Sequence, residues 1–475
     1  MSKQVSYPYI PNADPDIKQQ MLAEIGVRDV MDLYEEIPAR LRYSGVMDIP
    51  EPIPDECSLK RHITQLLAKN VNADDYLSFL GAGCYQHYVP AVCDEVNGRG
   101  EFLTAYGGDP YADHGRIQAL FEYASMMAEL LDVDVVSAPL YDGLNAFAKA
   151  ICMTARINGR REVLIAGNVN PDAVRVTRNY LQGVDQPVLS IRTVNIDHTT
   201  GMLDLMDLEN KLSPDTAAVC IQNPSYLGTL ESQANEIGQM AREAGAEFVV
   251  YVNPISLGVI APPAHYGATI TCGDIQPLGM HMQFGGGHGG FIASSGAPLY
   301  QEQYADPMFS LTGTVEAGEY GFGVAQYDKT SYGARENANE FTGTGTVLWA
   351  ITAGVYLALM GPHGMEEIGK TILYKAHYTA RKLADIKGIK LRFTGPFFNE
   401  FVLDFSSSGK TVAEVNRALL DHKIFGGIDL SKAFPIYGES ALYCVTEMMT
   451  KDDIGRLVCA LGDILTASAT HKLEV

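Results

Sequence analysis

Short apolar runs alternate with helix-sized amphipathic segments along most of this chain. Four such runs, rich in Val, Ile, Ala and Leu, lie at 163–166, 188–191, 217–221 and 248–252. Strand-length apolar runs separated by helices are typical of a mostly parallel sheet that is covered on both faces. The pattern therefore predicts a large α/β domain.

The last third of the chain follows a different order of elements. A long apolar helix is predicted over 347–360, ended by Gly361 and Pro362, and it is followed by a helix and a strand at 401–405. A helix from Thr411, a strand at 441–445 and a closing helix from Lys451 complete a small α/β domain.

The first 61 residues are rich in proline and acidic residues, with short helical patches at 16–23 and 30–36. An extended segment of this kind is typical of an arm that docks on another surface during assembly. We therefore predict three parts, an N-terminal arm at 1–61, a large α/β domain at 62–340, and a linking helix with the small C-terminal domain at 341–475.

Charge and cysteine usage exclude several classes of function. The 475 residues carry a formal net charge of -22 and contain no basic run, which argues against nucleic acid or an anionic membrane as partner. The eight cysteines form no C-x-x-C pair, and no histidine cluster has zinc spacing, so no metal site is predicted. With no signal segment and no long apolar run, the chain is expected to be cytoplasmic.

The candidate chemistry centres on residues 274–279 (DIQPLG), followed by a glycine run at 284–291 (FGGGHGGF). The stretch looks like a loop that presents a pyridoxal-phosphate lysine, but Gln276 stands where the lysine would be. A glutamine amide cannot condense with the cofactor aldehyde. The glycine run lacks the Walker lysine and the Rossmann order, and it is predicted to be a turn between two strands.

Six motifs occur in the order found in the first subunit of the glycine decarboxylase P-protein, a family that the chain resembles over nearly its whole length. They are residues 79–90 (FLGAGCYQHYVP), 101–106 (EFLTAY), 141–143 (YDG), 253–258 (NPISLG), 276–279 (QPLG) and 398–401 (FNEF). The resemblance implies the pyridoxal-phosphate-dependent transferase fold of the aspartate-aminotransferase type (fold type I). It also implies that this half carries no cofactor, while subunit 2 of the P-protein carries the lysine and pyridoxal phosphate. Together the two subunits would decarboxylate glycine and transfer the aminomethyl group to the lipoyl arm of the H-protein.

Three further positions argue against a cofactor in this chain. Asn253 stands where a carboxylate should meet the pyridine nitrogen, and 143–146 (GLNA) stands where a helix N-terminus should cup the phosphate. Asn170 replaces the ring-stacking histidine of the family. With Gln276 these make four departures from a working site.

By the same resemblance, residues 79–90 line the substrate cavity near the partner's cofactor. The candidate catalytic residues are Tyr85, His87 and Tyr88, and Thr344 is the candidate contact to the cofactor phosphate. The segments 106–116 and 335–346 depart from the family pattern, which indicates either an altered substrate or neutral drift. Two alternatives stay open: a subunit of a paralogous decarboxylase or lyase acting on another small amino acid or amine, and a non-catalytic scaffold or regulatory pseudoenzyme.

Overall fold

A computed structural model of the chain describes residues 7, 9–43, 45–103, 114–182, 190–341, 343 and 345–470. These residues fall into two units, Met1–Val71 and Asn72–Val475. In the first unit, helix α1 (Pro15–Ile25) begins where the Asp14 carboxylate accepts backbone hydrogen bonds, and helix α2 (Glu56–Leu67) is capped by Asp55 in the same way. Among the described residues of this unit, Leu22 is the one buried apolar side chain.

The second unit holds the remaining elements. In chain order they are β1 (Leu77–Ser78), α3 (Ala91–Asn97), α4 (Gly100–Leu103), α5 (His114–Leu131), β2 (Val135–Val136), α6 (Gly143–Asn158), β3 (Glu162–Ala166), α7 (Pro171–Tyr180), β4 (Ser190–Val194), α8 (Leu205–Lys211), β5 (Thr216–Gln222), α9 (Ala234–Glu243), β6 (Glu247–Val252), β7 (Ile270–Asp274), β8 (Gly290–Ser294), α10 (Pro298–Gln301), β9 (Met308–Gly313) and β10 (Tyr320–Ala325). They continue with α11 (Val347–Ala384), β11 (Lys390–Leu391), β12 (Glu400–Asp404), α12 (Val412–Asp421), β13 (Ile424–Phe425), β14 (Ile428–Asp429), β15 (Ser440–Cys444) and α13 (Lys451–Thr470).

A central sheet organises the larger part of this unit. Within the described residues it has seven strands in the order β2-β8-β7-β6-β5-β3-β4. Strands β4, β3, β5, β6 and β7 pair in parallel, while β8 runs antiparallel to β7 and β2 antiparallel to β8. The inner parallel strands β3, β5, β6 and β7 are buried on both faces and are mostly apolar, as in Thr216–Gln222, whereas the edge strand β4 is largely exposed. The predicted mostly parallel sheet is confirmed.

The long helix predicted at 347–360 is present and continues beyond the predicted stop. Gly361 has φ 56° and ψ -175°, so it interrupts the helix as expected, but helical backbone resumes at Pro362 and α11 ends at Ala384. By length and composition α11 is apolar enough to cross a bilayer. Its break at Gly361 and its buried residues Ala350, Tyr356 and Ile372 instead mark a core helix.

The C-terminal part is the predicted small α/β domain, and its strands form an antiparallel sheet in the order β11-β12-β15-β14 with α12 and α13 packed against it. Strand β1 also belongs to this region, since Leu77 pairs with Ile424 of β13. β1 and β13 form a two-stranded sheet of their own, and residues 79–90 follow β1. The N–H of Cys444 in β15 donates to the carbonyl of Phe79, and the N–H of Tyr85 donates to Gln276 after β7, so this segment lies between the small sheet and the central sheet.

Candidate functional site

Polar side chains collect at the carboxyl ends of the parallel strands, the edge where α/β proteins of this architecture bind ligands. Gln222 ends β5, Asn253 follows β6, Asp274 ends β7, and Asn170 follows β3. The lining of the small cavity at this edge is Gly83, Tyr85, Asn170, Gln222, Pro224, Tyr251, Val252, Asn253, Asp274, Pro277, Asn399 and Glu400. The cavity has a volume of ≈ 20 Å³, which is room for about one water molecule and none for an aromatic ring.

Gln276 stands at the position of the expected lysine. Its side chain is fully buried and forms hydrogen bonds with backbone groups. Its Nε2 donates to the carbonyl of Tyr85 at 2.9 Å and to that of Met280 at 3.2 Å, and its Oε1 accepts from the N–H of Tyr85 at 3.0 Å. The amide is suited to this task because it carries both a donor and an acceptor. Gln276 thus clamps the 79–90 segment to the end of the central sheet.

The N-terminus of α6, the predicted position of a phosphate cup, is occupied by carboxylates of the chain itself. The N–H of Gly143 donates to Asp274 Oδ2 at 2.8 Å, and the N–H of Asn145 donates to Asp142 Oδ1 at 2.7 Å. A phosphate at this position would be repelled by the two carboxylates, and these two N–H groups already donate to them.

The two asparagines are also engaged locally. Asn170 caps α7 by accepting from Asp172 N at 2.9 Å, and its own N–H donates to Gln222 Oε1. Asn253 Oδ1 accepts from Ile255 N at 3.1 Å, and its buried Nδ2 has no partner among the described residues. The residues present therefore do not fit a pyridoxal phosphate: the nucleophile, the carboxylate, the phosphate site and the space are all lacking.

Tyr85 lies inside the site, with its hydroxyl donating to Glu400 Oε2 at 2.9 Å. The second carboxylate oxygen, Oε1, accepts from Ala82 N at 2.6 Å. Glu400 is 3% exposed, and burial raises its pKa to about 7 although both hydrogen bonds act in the opposite direction. Burial also raises the pKa of Tyr85 well above its usual value. Sequence reasoning used Glu400 as part of a motif but gave it no role, because its partners are more than 300 positions away.

His87 and Tyr88 lie against a second carboxylate that sequence reasoning missed. His87 Nδ1 is 2.7 Å from Glu447 Oε2, and the N–H of Tyr88 donates to Glu447 Oε1 at 2.7 Å. The pair with His87 lowers the pKa of Glu447 even though burial acts to raise it. His87 is 7% exposed and its Nε2 has no partner among the described residues, whereas the ring of Tyr88 is exposed.

The predicted side chains therefore point in three directions. Tyr85 contacts Glu400, His87 contacts Glu447, and Tyr88 faces outward; the rings of Tyr85 and His87 still lie edge to face with centroids 6.0 Å apart. Thr344 and residues 104–113, which include most of the divergent 106–116 segment, lie outside the described residues. Next to Thr344, the N–H of Gly343 donates to the hydroxyl of Tyr141, just before α6.

This sheet order, with polar residues collected at the strand ends, is the fold of the pyridoxal-phosphate-dependent transferases (fold type I). Two distant solved structures share the fold: the sphingosine-1-phosphate lyase of Burkholderia pseudomallei (TM-score 0.63, 16% identity, covering 92% of this chain and 97% of that one) and a NifS-like protein from Rickettsia africae (TM-score 0.60, 14% identity, 82% and 99%).

Closer similarity identifies the family. A crystal structure of glycine decarboxylase (P-protein) of the glycine cleavage system, in inhibitor-bound form, has a TM-score of 0.85 and 32% identity, covering 97% of this chain and all of that one. The family model for the glycine cleavage system P-protein matches residues 8–461. The chain belongs to this family.

Among curated relatives, proteins named "Probable glycine dehydrogenase (decarboxylating) subunit 1" match along nearly their full length. The protein from Staphylothermus marinus is 37% identical over 470 residues, covering 97% of this chain and 98% of the relative. The one from Geobacillus kaustophilus is 37% identical over 456 residues, covering 96% and 98%.

Proposed function

We propose that this chain is the cofactor-free subunit of a two-subunit P-protein. Its partner, P-protein subunit 2, would carry pyridoxal phosphate, and the pair would decarboxylate glycine and transfer the aminomethyl group to the lipoyl arm of the H-protein. The observation that best supports this is the Gln276 clamp, which occupies the position of the lysine with three backbone hydrogen bonds. A chain whose own pocket is filled in this way needs a second subunit for the chemistry.

The role proposed for residues 85–88 is to complete the active site of the partner. Tyr88 is 62% exposed and is therefore free to contact another chain. The uncommitted Nε2 of His87 offers a nitrogen that can hold or move a proton, with Glu447 fixing the ring from the opposite side. Tyr85 would orient substrate through its hydroxyl, and Thr344 would donate to the phosphate of the partner's cofactor.

The test is reconstitution with a co-expressed second subunit and an assay of carboxyl exchange between glycine and labelled bicarbonate in the presence of a lipoylated carrier. Tyr85→Phe, His87→Ala and Thr344→Ala should each lower the rate roughly ten- to a hundredfold while the two subunits still co-purify. Matched controls are Tyr374→Phe and His281→Ala, which change exposed residues and should leave the rate unchanged. Full activity in all three variants would show that these residues have a structural role and no role in catalysis.

The same assay separates the proposal from its alternatives. A complex that assembles and binds pyridoxal phosphate but exchanges the carboxyl of another small amino acid would be a paralogous decarboxylase or lyase. A complex whose rate equals that of the second subunit alone would make this chain a scaffold or regulator. Activity of the isolated chain would contradict the proposal outright. We also propose a cytoplasmic location for the protein.

The N-terminal unit is proposed to dock on the partner. In α2, Leu59, Ile63 and Leu66 recur at helical spacing and are 47%, 44% and 46% exposed. Tyr9 and Val46 are more than 90% exposed. Such a surface gains stability when it is covered by another chain. A chain beginning at residue 72, which lacks the whole first unit, should therefore pair more weakly with the second subunit. Unchanged affinity in a titration would give this unit another use.

A further inference from the structure

The glycine run at 284–291 has no role in the proposed function. β7 ends at Asp274 and β8 begins at Gly290, so most of the run lies in the connection between two strands, as predicted. Phe284, the first residue of the run, is 99% exposed. Single exposed apolar side chains are common on protein surfaces, so exposure alone gives Phe284 no function.

The backbone around Phe284 is unusual for the residues that it carries. Gln283 has φ 48°, and Phe284 has φ 54° and ψ 30°, so two consecutive non-glycine residues adopt the left-handed conformation. This conformation is disfavoured for residues with a Cβ, and most of all for bulky ones. Backbone strain of this kind is found mainly where it serves a function. The strain and the exposure together indicate that the ring of Phe284 is presented for a contact outside this chain.

The loop at 281–289 holds this conformation through its own backbone. The N–H of Gly285 donates to the carbonyl of Met282 at 2.8 Å, which closes a tight turn around Phe284. The two sides of the loop approach each other at Gly287, where a Cβ would clash with the carbonyl of His281. Only glycine permits so close an approach of two backbone segments.

Contacts between histidines and carboxylates attach both sides of the loop to the rest of the second unit. On the first side, His281 Nε2 is 3.1 Å from Asp94 Oδ1 in α3. On the second side, His288 Nδ1 is 3.0 Å from Asp274 Oδ2. Because three residues span about 11 Å at most, the backbone of Phe284 lies within that distance of His281. The ring is therefore presented close to α3.

This position adjoins the segment that is proposed to reach the partner. Helix α3 begins at Ala91, directly after the 79–90 segment. Tyr88 in that segment is 62% exposed, and Val92 in the first turn of α3 is 41% exposed. Phe284 therefore lies in the same region of the surface as two other exposed apolar side chains. Aromatic residues grouped in this way are typical of the centre of a protein interface.

We propose that Phe284 is an anchor residue of the interface with P-protein subunit 2, packing its ring against an apolar surface of that subunit beside Tyr88. The inference rests on the proposed function, which supplies the partner. A ring held by a closed loop loses little conformational freedom on binding, so its burial contributes strongly to affinity. The net charge of -22 disfavours an anionic membrane as the occupant. A second copy of this chain is the other occupant, and the experiment separates it from subunit 2.

The test measures the affinity of the full-length chain for purified subunit 2 by sedimentation velocity over a titration series. Phe284→Ala should weaken pairing by at least about tenfold, and Phe284→Leu, which keeps an apolar side chain, should weaken it less. The matched control is Tyr374→Ala, which removes an aromatic ring that is 70% exposed on α11 and should leave the affinity unchanged. With subunit 2 in excess, Phe284→Ala should regain the parent rate of carboxyl exchange, because the substitution changes pairing and not the chemistry.

A further variant tests the conformation of the loop separately from the ring. Gly287→Ala keeps Phe284 but forces the two sides of the loop apart, and it should also weaken pairing. Circular dichroism and urea unfolding of the isolated chains establish that each variant is folded. Unchanged affinity of a folded Gly287→Ala protein would contradict the role of the loop conformation.

The outcomes distinguish this inference from the proposed function. If Phe284→Ala pairs with subunit 2 as tightly as the parent does, the inference is wrong and the proposed function stands. If the parent chain does not pair with subunit 2 at all, both are wrong. If the isolated parent sediments as a dimer that Phe284→Ala converts to a monomer, the ring belongs to a contact between two copies of this chain, and the inference is wrong.

Discussion

Glu400 should make the stability of this protein depend on pH, and its replacement by glutamine should remove that dependence. The carboxyl group is 3% exposed, and its pKa is raised from 4.5 to about 7 chiefly by burial. In Glu400→Gln, the amide oxygen can still accept from Ala82 N and the amide nitrogen can donate to the hydroxyl of Tyr85. The substitution therefore removes the ionisable group and keeps both contacts.

The direction of the effect follows from the raised pKa. Below about pH 4.5 the carboxyl is protonated in both the folded and the unfolded chain and costs nothing. Between about 4.5 and 7 the unfolded chain ionises while the folded chain keeps its proton, so the free energy of unfolding falls as pH rises. The displacement corresponds to about 3 kcal/mol once the pH exceeds 7. Glu400→Gln should thus be more stable than the parent by about 3 kcal/mol at pH 8, and by less than about 1 kcal/mol at pH 5.

The measurement is urea unfolding of the two proteins at both pH values, with coincident far- and near-ultraviolet circular dichroism transitions. Glu209→Gln, an exposed carboxyl on α8, is the matched control and should change the free energy of unfolding by less than about 0.5 kcal/mol throughout. If the difference between Glu400→Gln and the parent is the same at pH 5 and pH 8, the buried carboxyl ionises normally and the reasoning is wrong.

Three further substitutions probe the filled pocket. Gln276→Lys should not form an adduct with added pyridoxal phosphate that absorbs visible light and is bleached by borohydride, because the phosphate position and the space for the ring are still filled. A trapped adduct would show that the lysine alone distinguishes this pocket from a working pyridoxal-phosphate site. Gly143→Ala places a Cβ against the hydroxyl of Tyr251 and should lower the free energy of unfolding in urea by about 1–3 kcal/mol. An unchanged free energy of unfolding would contradict the close packing at this position. Glu447→Gln should cost about 1.5–3 kcal/mol by breaking the pair with His87, and its unfolding should become less sensitive to acid than that of the parent.

Most of the fold could be predicted from the chain because each prediction depended on a local pattern. The apolar runs at 163–166, 217–221 and 248–252 became β3, β5 and β6 with ends shifted by one residue at most. Thr411 became the cap of α12, with the reciprocal Glu414 contact that such a cap favours. The continuation of α11 past Gly361 was missed, because a glycine with positive φ can interrupt a helix at one residue, and proline is well suited to the first position of the helical stretch that follows.

The candidate site could be predicted only in part. A residue type at one position can be read from the sequence, but contacts between distant residues are set by the fold. The absence of a lysine at position 276 is visible in the sequence, and it correctly directed attention to this edge of the sheet. The contacts made by the residues of the site could not be predicted from the sequence, because they join distant positions. Gln276 and Tyr85 are 191 positions apart, Tyr85 and Glu400 are 315 apart, and His87 and Glu447 are 360 apart. The contact with Gln276 fastens the 79–90 segment to the end of the central sheet, and the contacts with Glu400 and Glu447 fasten it to the small sheet. The 79–90 segment carries the side chains that are proposed to reach the partner, and the filled pocket holds this segment in place. A substitution in the pocket should therefore reduce the activity of the complex more strongly when it removes more of the contacts to the segment.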